Sequence, residues 1–148
     1  MADWFDELEK AVIADMYSHY TETVIDHATN PRNMRSMEPF DGHAMFTGPC
    51  GDTMDIWIRV KDDAIVAASF TTDGCGTSVA AGSMMTEMAR GKHIAAAQRI
   101  VPEDVLAALG GLPEESEHCA LLAVTALRRA IADYRTFKGQ QWKRAYSR

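Results

Sequence analysis

The sequence predicts an α+β domain: a small antiparallel sheet of about three strands with helices packed mainly on one face. Three observations lead there. A helical apolar period opens the chain, a period of two runs through its middle, and the helical period returns in the second half. The 148 residues are 47% hydrophobic and 24% charged, which suits one domain with a core of its own. No repeat, low-complexity tract or linker divides the chain, so residues 1–148 read as a single domain.

Residues 4–28 read as one helix. Trp4, Phe5, Leu8, Val12, Ile13 and Met16 recur at helical spacing, and Tyr20, Val24 and Ile25 continue the stripe. Asn30-Pro31 ends it, because the residue before proline avoids the helical region. A loop over 31–42 follows, then a short strand over 43–48. From Thr53 to Val60, Met54, Ile56, Ile58 and Val60 alternate with Thr53, Asp55, Trp57 and Arg59. Lys61-Asp62-Asp63 turns the chain into a partner strand from Ala64 to Thr72. Asp73-Gly74-Cys75-Gly76 breaks that strand.

A helix from Thr77 to Arg90 is closed by Gly91, with Met84, Met85 and Met88 read as core filling. Residues 93–99 form a short helix, and Pro102 opens another that runs to Leu109. After Gly110-Gly111-Leu112-Pro113, a long helix spans 117–137 on a stripe of Leu121, Leu122, Val124, Leu127, Ile131 and Tyr134. A basic, frayed tail ends the chain.

The charge balance excludes some partners. With 21 acidic against 15 basic residues the net charge is −6, which counts against nucleic-acid binding. No apolar run reaches the length of a membrane span, and the acidic start Met1-Ala2-Asp3-Trp4 resembles neither a secretory signal nor a transit peptide. A cytoplasmic location is expected. In that compartment three cysteines are free thiols or metal ligands rather than disulfides.

All three cysteines fall at element boundaries. Cys50 lies in Gly48-Pro49-Cys50-Gly51-Asp52, Cys75 in Gly74-Cys75-Gly76, and Cys119 in Glu117-His118-Cys119. Flanking glycines allow a ligand to come close, and free N–H groups at a helix start stabilise a thiolate. No Cys-x-x-Cys pair exists, so a shared site would have to be assembled by the tertiary fold. Thiolates suit iron–sulfur clusters and zinc. Three cysteines leave one position of a four-ligand set to His118, Asp52 or an outside group. His118 adjoins Cys119 at a helix start, where an irregular cap would let both reach one site; it could instead only cap or neutralise the thiolate. Asp52, two residues after Cys50, would project to the same side in an extended segment; it could instead be only a turn residue at the start of a strand. His19, His27, His43 and His93 lie outside these motifs and read as surface or packing residues.

Together these stretches resemble the IscU family, which includes the N-terminal domain of NifU. Tyr20 to His27 followed by Asn30-Pro31-Arg32-Asn33 is similar to its opening helix and first loop. Pro49-Cys50-Gly51-Asp52, Gly74-Cys75-Gly76, and Leu112-Pro113 followed by His118-Cys119 resemble its three motifs in order. Ala130-Ile131-Ala132-Asp133-Tyr134 is similar to the end of its last helix. The likeness covers residues 20–137, leaving 1–19 as an N-terminal helical extension and 138–148 as the tail.

The resemblance implies a SufE/NifU-like fold and a non-enzymatic scaffold. A cysteine desulfurase would supply sulfur, other donors iron and electrons, and a [2Fe–2S] cluster would form and pass to acceptor proteins. It implies Cys50, Asp52, Cys75, His118 and Cys119 as ligands and Cys119 as persulfide acceptor; Asp52, as a hard ligand, is expected to keep the cluster labile. An incomplete, mixed ligand set suits transfer, since a carboxylate is a hard ligand for a soft site. Zinc would also fit the same donors.

Two departures stand out. Leu112-Pro113-Glu114-Glu115-Ser116 lacks the second proline and the lysine of the family's Leu-Pro-Pro-Val-Lys stretch, which counts against a specialised Hsp70-type chaperone as partner. The extension's stripe is expected to pack on its own domain rather than in a partner's groove. The alternative function is a zinc-dependent sulfur acceptor of the SufU type. His118 and the lack of an insertion before the last motif favour the cluster scaffold.

Overall fold

The computed structural model describes residues 2–140 and 142, with the side chains of Ala2, Met16 and Tyr17 outside that description. The side chain of Met16, assigned above to the first helical stripe, and most of the basic tail therefore lie outside the description. Helices α1 (Ala2–His19) and α2 (Glu22–Thr29) precede strands β1 (Gly42–Thr47), β2 (Thr53–Lys61) and β3 (Ala64–Thr72). Helices α3 (Gly76–Ala89), α4 (Ile94–Gln98), α5 (Pro102–Leu109) and α6 (His118–Phe137) follow, with a 3₁₀ turn over Glu114–Ser116 before the last.

The strands form one antiparallel sheet in the order β1-β2-β3. Its register sets Ala44 and Phe46 opposite Ile56 and Met54, and Ile56 and Ile58 opposite Phe70 and Ala68. Met54, Ile56, Ile58 and Phe70 are wholly buried, so the period of two in the sequence marks the inner face. Helix α6 lies across β1 and β2, α3 packs on β3 and α6, and α2 packs on α3. The β2–β3 hairpin turns on Asp62 and Asp63 at φ 54° and 59°, the left-handed pair of a type I′ turn. Asp63 then accepts from the Tyr134 hydroxyl at 2.7 Å and pairs with Lys138, tying the turn to the end of α6. Burial and the Asp63 carboxylate push the Tyr134 phenol up to about 12, so it remains a donor.

The expected single helix over 4–28 is two helices. Thr21 takes an extended conformation (ψ 160°) and its hydroxyl oxygen accepts from Val24 N at 3.1 Å as an N-cap. The same hydroxyl donates to the Leu109 carbonyl at the end of α5, which fixes the break. The apolar period runs through this point unchanged, so periodicity could not reveal it.

The extension does not pack on its own domain as expected. Trp4 is 59% exposed and Phe5 64%, with Leu8, Val12 and Ile13 also exposed, and α1 meets the body chiefly at α2. Leu121, in the apolar stripe of the last helix, is 51% exposed.

The four histidines outside the motifs have local roles. His19 lies exposed beside Asp15, His43 pairs with Asp55 and stacks on Trp57, and His93 accepts from Ala95 N as the cap of α4. His27 is buried between α2 and α3, with Nδ1 2.7 Å from Ser83 Oγ. Arg32 N donates to that same oxygen at 2.9 Å, so the serine proton is free to meet a neutral imidazole.

Burial holds the His27 pKa below its ordinary value; the Arg32 charge adds to this, while Asp26 and Glu87 oppose it. The unfolded chain therefore takes up a proton that the folded one refuses. Stability should be full above the ordinary histidine range and fall as pH drops through it, levelling off below the folded pKa. Thermal midpoints measured from about pH 7.5 to 5.5 should decline by a few degrees, and His27→Gln should flatten that decline. An equal slope in the variant would assign the dependence to other groups.

Candidate metal centre

Three element boundaries build the site. Between β1 and β2, Gly48 N donates to Asp52 O at 2.9 Å and Gly51 N to Gly48 O at 3.0 Å, a tight loop that needs the left-handed φ of +91° at Gly51. This presents Cys50 to solvent and leaves Asp52 half-buried. Thr53 N donates to Asp73 Oδ1 at 2.8 Å, which fastens the loop beside the approach to α3. Cys75 is the N-cap of α3, in extended conformation and exposed. Cys119 lies in the first turn of α6 and is wholly buried, while the preceding His118 is exposed.

These boundaries bring the expected residues to one end of the fold. Cys50, Asp52 and His118 each offer a ligand atom, all within 4.8 Å of one another, and Asp52, Cys75 and Cys119 do the same. Asp52 belongs to both groups and links them. His118 Nε2 also lies 3.8 Å from Cys119 Sγ. Three soft sulfurs, one imidazole and one carboxylate fit zinc or iron–sulfur chemistry and suit magnesium or calcium poorly.

The match to the model of the NifU-like N terminal domain spans residues 19–141. The chain belongs to this family. The "Iron-sulfur cluster assembly scaffold protein IscU 1" of Archaeoglobus fulgidus is 49% identical over 116 residues, covering 78% of this chain and 76% of that protein. The IscU scaffold of Escherichia coli K12 is 43% identical over 122 residues, covering 79% and 94%. Among solved structures, the N-terminal NifU-like protein of Brucella abortus superposes with a TM-score of 0.62 at 18% identity, covering 84% of this chain and 97% of that one. A SUF-system SufU protein from Fervidobacterium islandicum AW-1 gives 0.62 at 21%, covering 76% and 96%. These two likenesses show the fold alone. The NifU-like match begins at the last residue of α1, so the exposed stripe lies outside it.

Within this NifU-like frame the two thiols that share one group with Asp52, Cys75 and Cys119, differ. Burial pushes the Cys75 thiol up, but hydrogen bonds outweigh it and hold its pKa below the ordinary value. They come from the Thr77 hydroxyl at 2.9 Å, the backbone N–H groups of Ser78 and Thr77, and the Ser78 hydroxyl. Burial raises Cys119; the Ser78 and Thr77 hydroxyls oppose the rise, and the negative charges of Cys75 and Asp52 add to it. Cys75 is thus the readier thiolate, and Cys119 gives up its proton less easily.

Two apolar hollows flank the site. One, about 460 Å³, is lined by Phe46, Pro49, Cys50, His118, Leu121 and Leu122, with the Arg129 guanidinium 4.5 Å over the Phe46 ring. The other, about 200 Å³, lies between α2 and Cys75. The exposure of Leu121 is explained by its place in the first wall. Sequence reasoning passed over Thr77 and Ser78. Their signal was available: two hydroxyl residues in the first turn of a helix capped by a cysteine.

Proposed function

We propose that this chain is a non-enzymatic scaffold on which a [2Fe–2S] cluster is assembled and then handed to acceptor proteins. The observation that carries this reading is the shared carboxylate: Asp52 stands between a Cys75–Cys119 pair and a Cys50–His118 pair at one end of the fold. The names of the curated relatives support it. The cluster is cargo, and the residues that hold it must also let it go. Cys50, Cys75 and Cys119 supply thiolates, His118 an imidazole, and Asp52 a hard, readily exchanged position.

Sulfur arrives as the sulfane sulfur of a persulfide from a cysteine desulfurase, with Cys119 as acceptor. Each sulfane sulfur takes two electrons to become sulfide, so electron and iron donors are further partners. Among the described residues no helix is long and apolar enough to cross a membrane.

The test is anaerobic reconstitution with ferrous iron, cysteine, a cysteine desulfurase and a thiol reductant, read by absorption and Mössbauer spectra. One [2Fe–2S] cluster should form. If none forms while zinc stays bound and sulfur is still transferred, the chain is instead a zinc-dependent sulfur acceptor.

Asp52→Ala tests the role of the carboxylate. With the hard ligand gone, the cluster should pass to an apo-ferredoxin acceptor roughly tenfold more slowly. Unchanged transfer kinetics, followed by circular dichroism, would remove Asp52 from the release step.

A further inference from the structure

Asp52 faces two ligand pairs, and a carboxylate on a loop has free side-chain torsions. The backbone of that loop is pinned by the Gly48–Asp52 and Gly48–Gly51 hydrogen bonds, but these do not choose where the carboxylate points. Ser78 does. Its hydroxyl, wholly buried in the first turn of α3, donates to Asp52 Oδ2 at 3.1 Å and lies 3.4 Å from Cys119 Sγ. A serine hydroxyl has one proton and two lone pairs. With the proton given to Asp52, the oxygen is left to accept from the Cys119 thiol in the metal-free protein; only toward a thiolate would the hydroxyl turn to donate. One side chain therefore bridges the carboxylate and the buried sulfur.

Gly74 leaves the room for this contact. A methyl group there would sit 2.6 Å from Ser78 Oγ and 2.9 Å from Asp52 Oδ2. Two separate features, a buried donor and a gap beside it, thus serve the same carboxylate.

We infer that Ser78 is a positioning residue for Asp52, holding the shared carboxylate on the Cys75–Cys119 side so that one metal ion meets all three groups. The inference rests on the metal-site reading of these residues but not on whether a cluster is built there. Groups that orient ligands commonly change metal affinity by one to two orders of magnitude. Zinc is the suitable probe, because it takes sulfur, nitrogen and oxygen donors tetrahedrally and needs no sulfide or electrons.

The experiment is a double-mutant cycle on the metal-free full chain. Zinc affinity is measured by competition with a chromophoric chelator for wild type, Ser78→Ala, Asp52→Ala and the double variant. Ser78→Ala should weaken zinc binding about tenfold and leave the thermal midpoint of the metal-free protein nearly unchanged. In the Asp52→Ala background the same change should cost less than about twofold, since there is no carboxylate left to hold. Gly74→Ala should reproduce the loss by crowding the contact.

A purely structural role would instead cost the same factor in both backgrounds, and that result would overturn the proposal. So would unchanged affinity in Ser78→Ala, or an Asp52→Ala variant that binds zinc as wild type does. If the cycle shows coupling but reconstitution gives no cluster, the scaffold reading fails and Ser78 keeps its role. If a cluster forms and the cycle is flat, the Ser78 proposal fails alone.

Discussion

Cys119→Ser should give a folded protein that assembles no cluster. Cys119 is the one wholly buried thiol of the three, at the start of α6 and within ligand distance of both Cys75 and Asp52. Thr77 and Ser78 hydroxyls lie 3.4 Å from its sulfur, so a serine hydroxyl in its place would find partners already there. The fold should therefore lose only about 1 kcal/mol. The chemistry should lose far more, because an alcohol neither carries a sulfane sulfur nor ligates a soft iron as a thiolate does. Mass spectrometry after desulfurase treatment should show no added sulfur atom at position 119, and absorption should show no cluster. Cys50→Ser, on the exposed rim, should be milder and retain some metal binding. A normal cluster yield from Cys119→Ser would place sulfur delivery elsewhere.

The sheet was legible because its inner face is written in alternate residues. Met54, Ile56 and Ile58 are wholly buried and alternate with partly exposed neighbours. Pro102 and Gly110 framed α5, since proline suits a first helical position and Gly110 takes the left-handed φ of a helix end. The break between α1 and α2 was not legible. It depends on Thr21 reaching a carbonyl 88 residues away, a contact that no local pattern encodes. The failure of α1 to pack on the domain has a related cause. A stripe records that a helix has an apolar face, but not which surface covers it.

The site was half legible in the same sense. Cysteines at element boundaries indicated chemistry, and the five expected residues fall into two groups that share Asp52. Their arrangement was not encoded locally. That Asp52 is the group common to both pairs follows from the loop turning at Gly51 and from Asp73 fastening Thr53. Nor could spacing separate Cys75 from Cys119. One caps a helix, exposed and facing N–H donors; the other is buried, and their pKa values move in opposite directions.

The seating of β1 on α6 governs both stability and the site, and Gly42→Ala should expose this. A methyl group at Gly42 would run into the Ala130 carbonyl of α6 and stand 3.0 Å from Ile58 Cγ1 and Tyr134 Cβ. The first obstacle is backbone in the middle of a helix, which cannot rotate away as a side chain could. Either β1 lifts from α6 or the pairing of Gly42 with Ile58 is lost. The cost should be about 3 kcal/mol, the upper end of what overpacking exacts, and should appear as a lower denaturant midpoint with an unchanged slope. The effect should reach the metal centre as well. The loop bearing Cys50 and Asp52 leaves the far end of β1, while His118 and Cys119 open α6, so a tilted strand shifts one half of the ligand set against the other. Zinc affinity of the folded variant should fall too. Gly51→Ala is the control: its methyl group meets nothing within 4 Å, but the φ of +91° penalises any side chain by about 1–2 kcal/mol. If Gly42→Ala proves no more costly than that control, α6 and β1 are not in the close contact on which the geometry of the site depends.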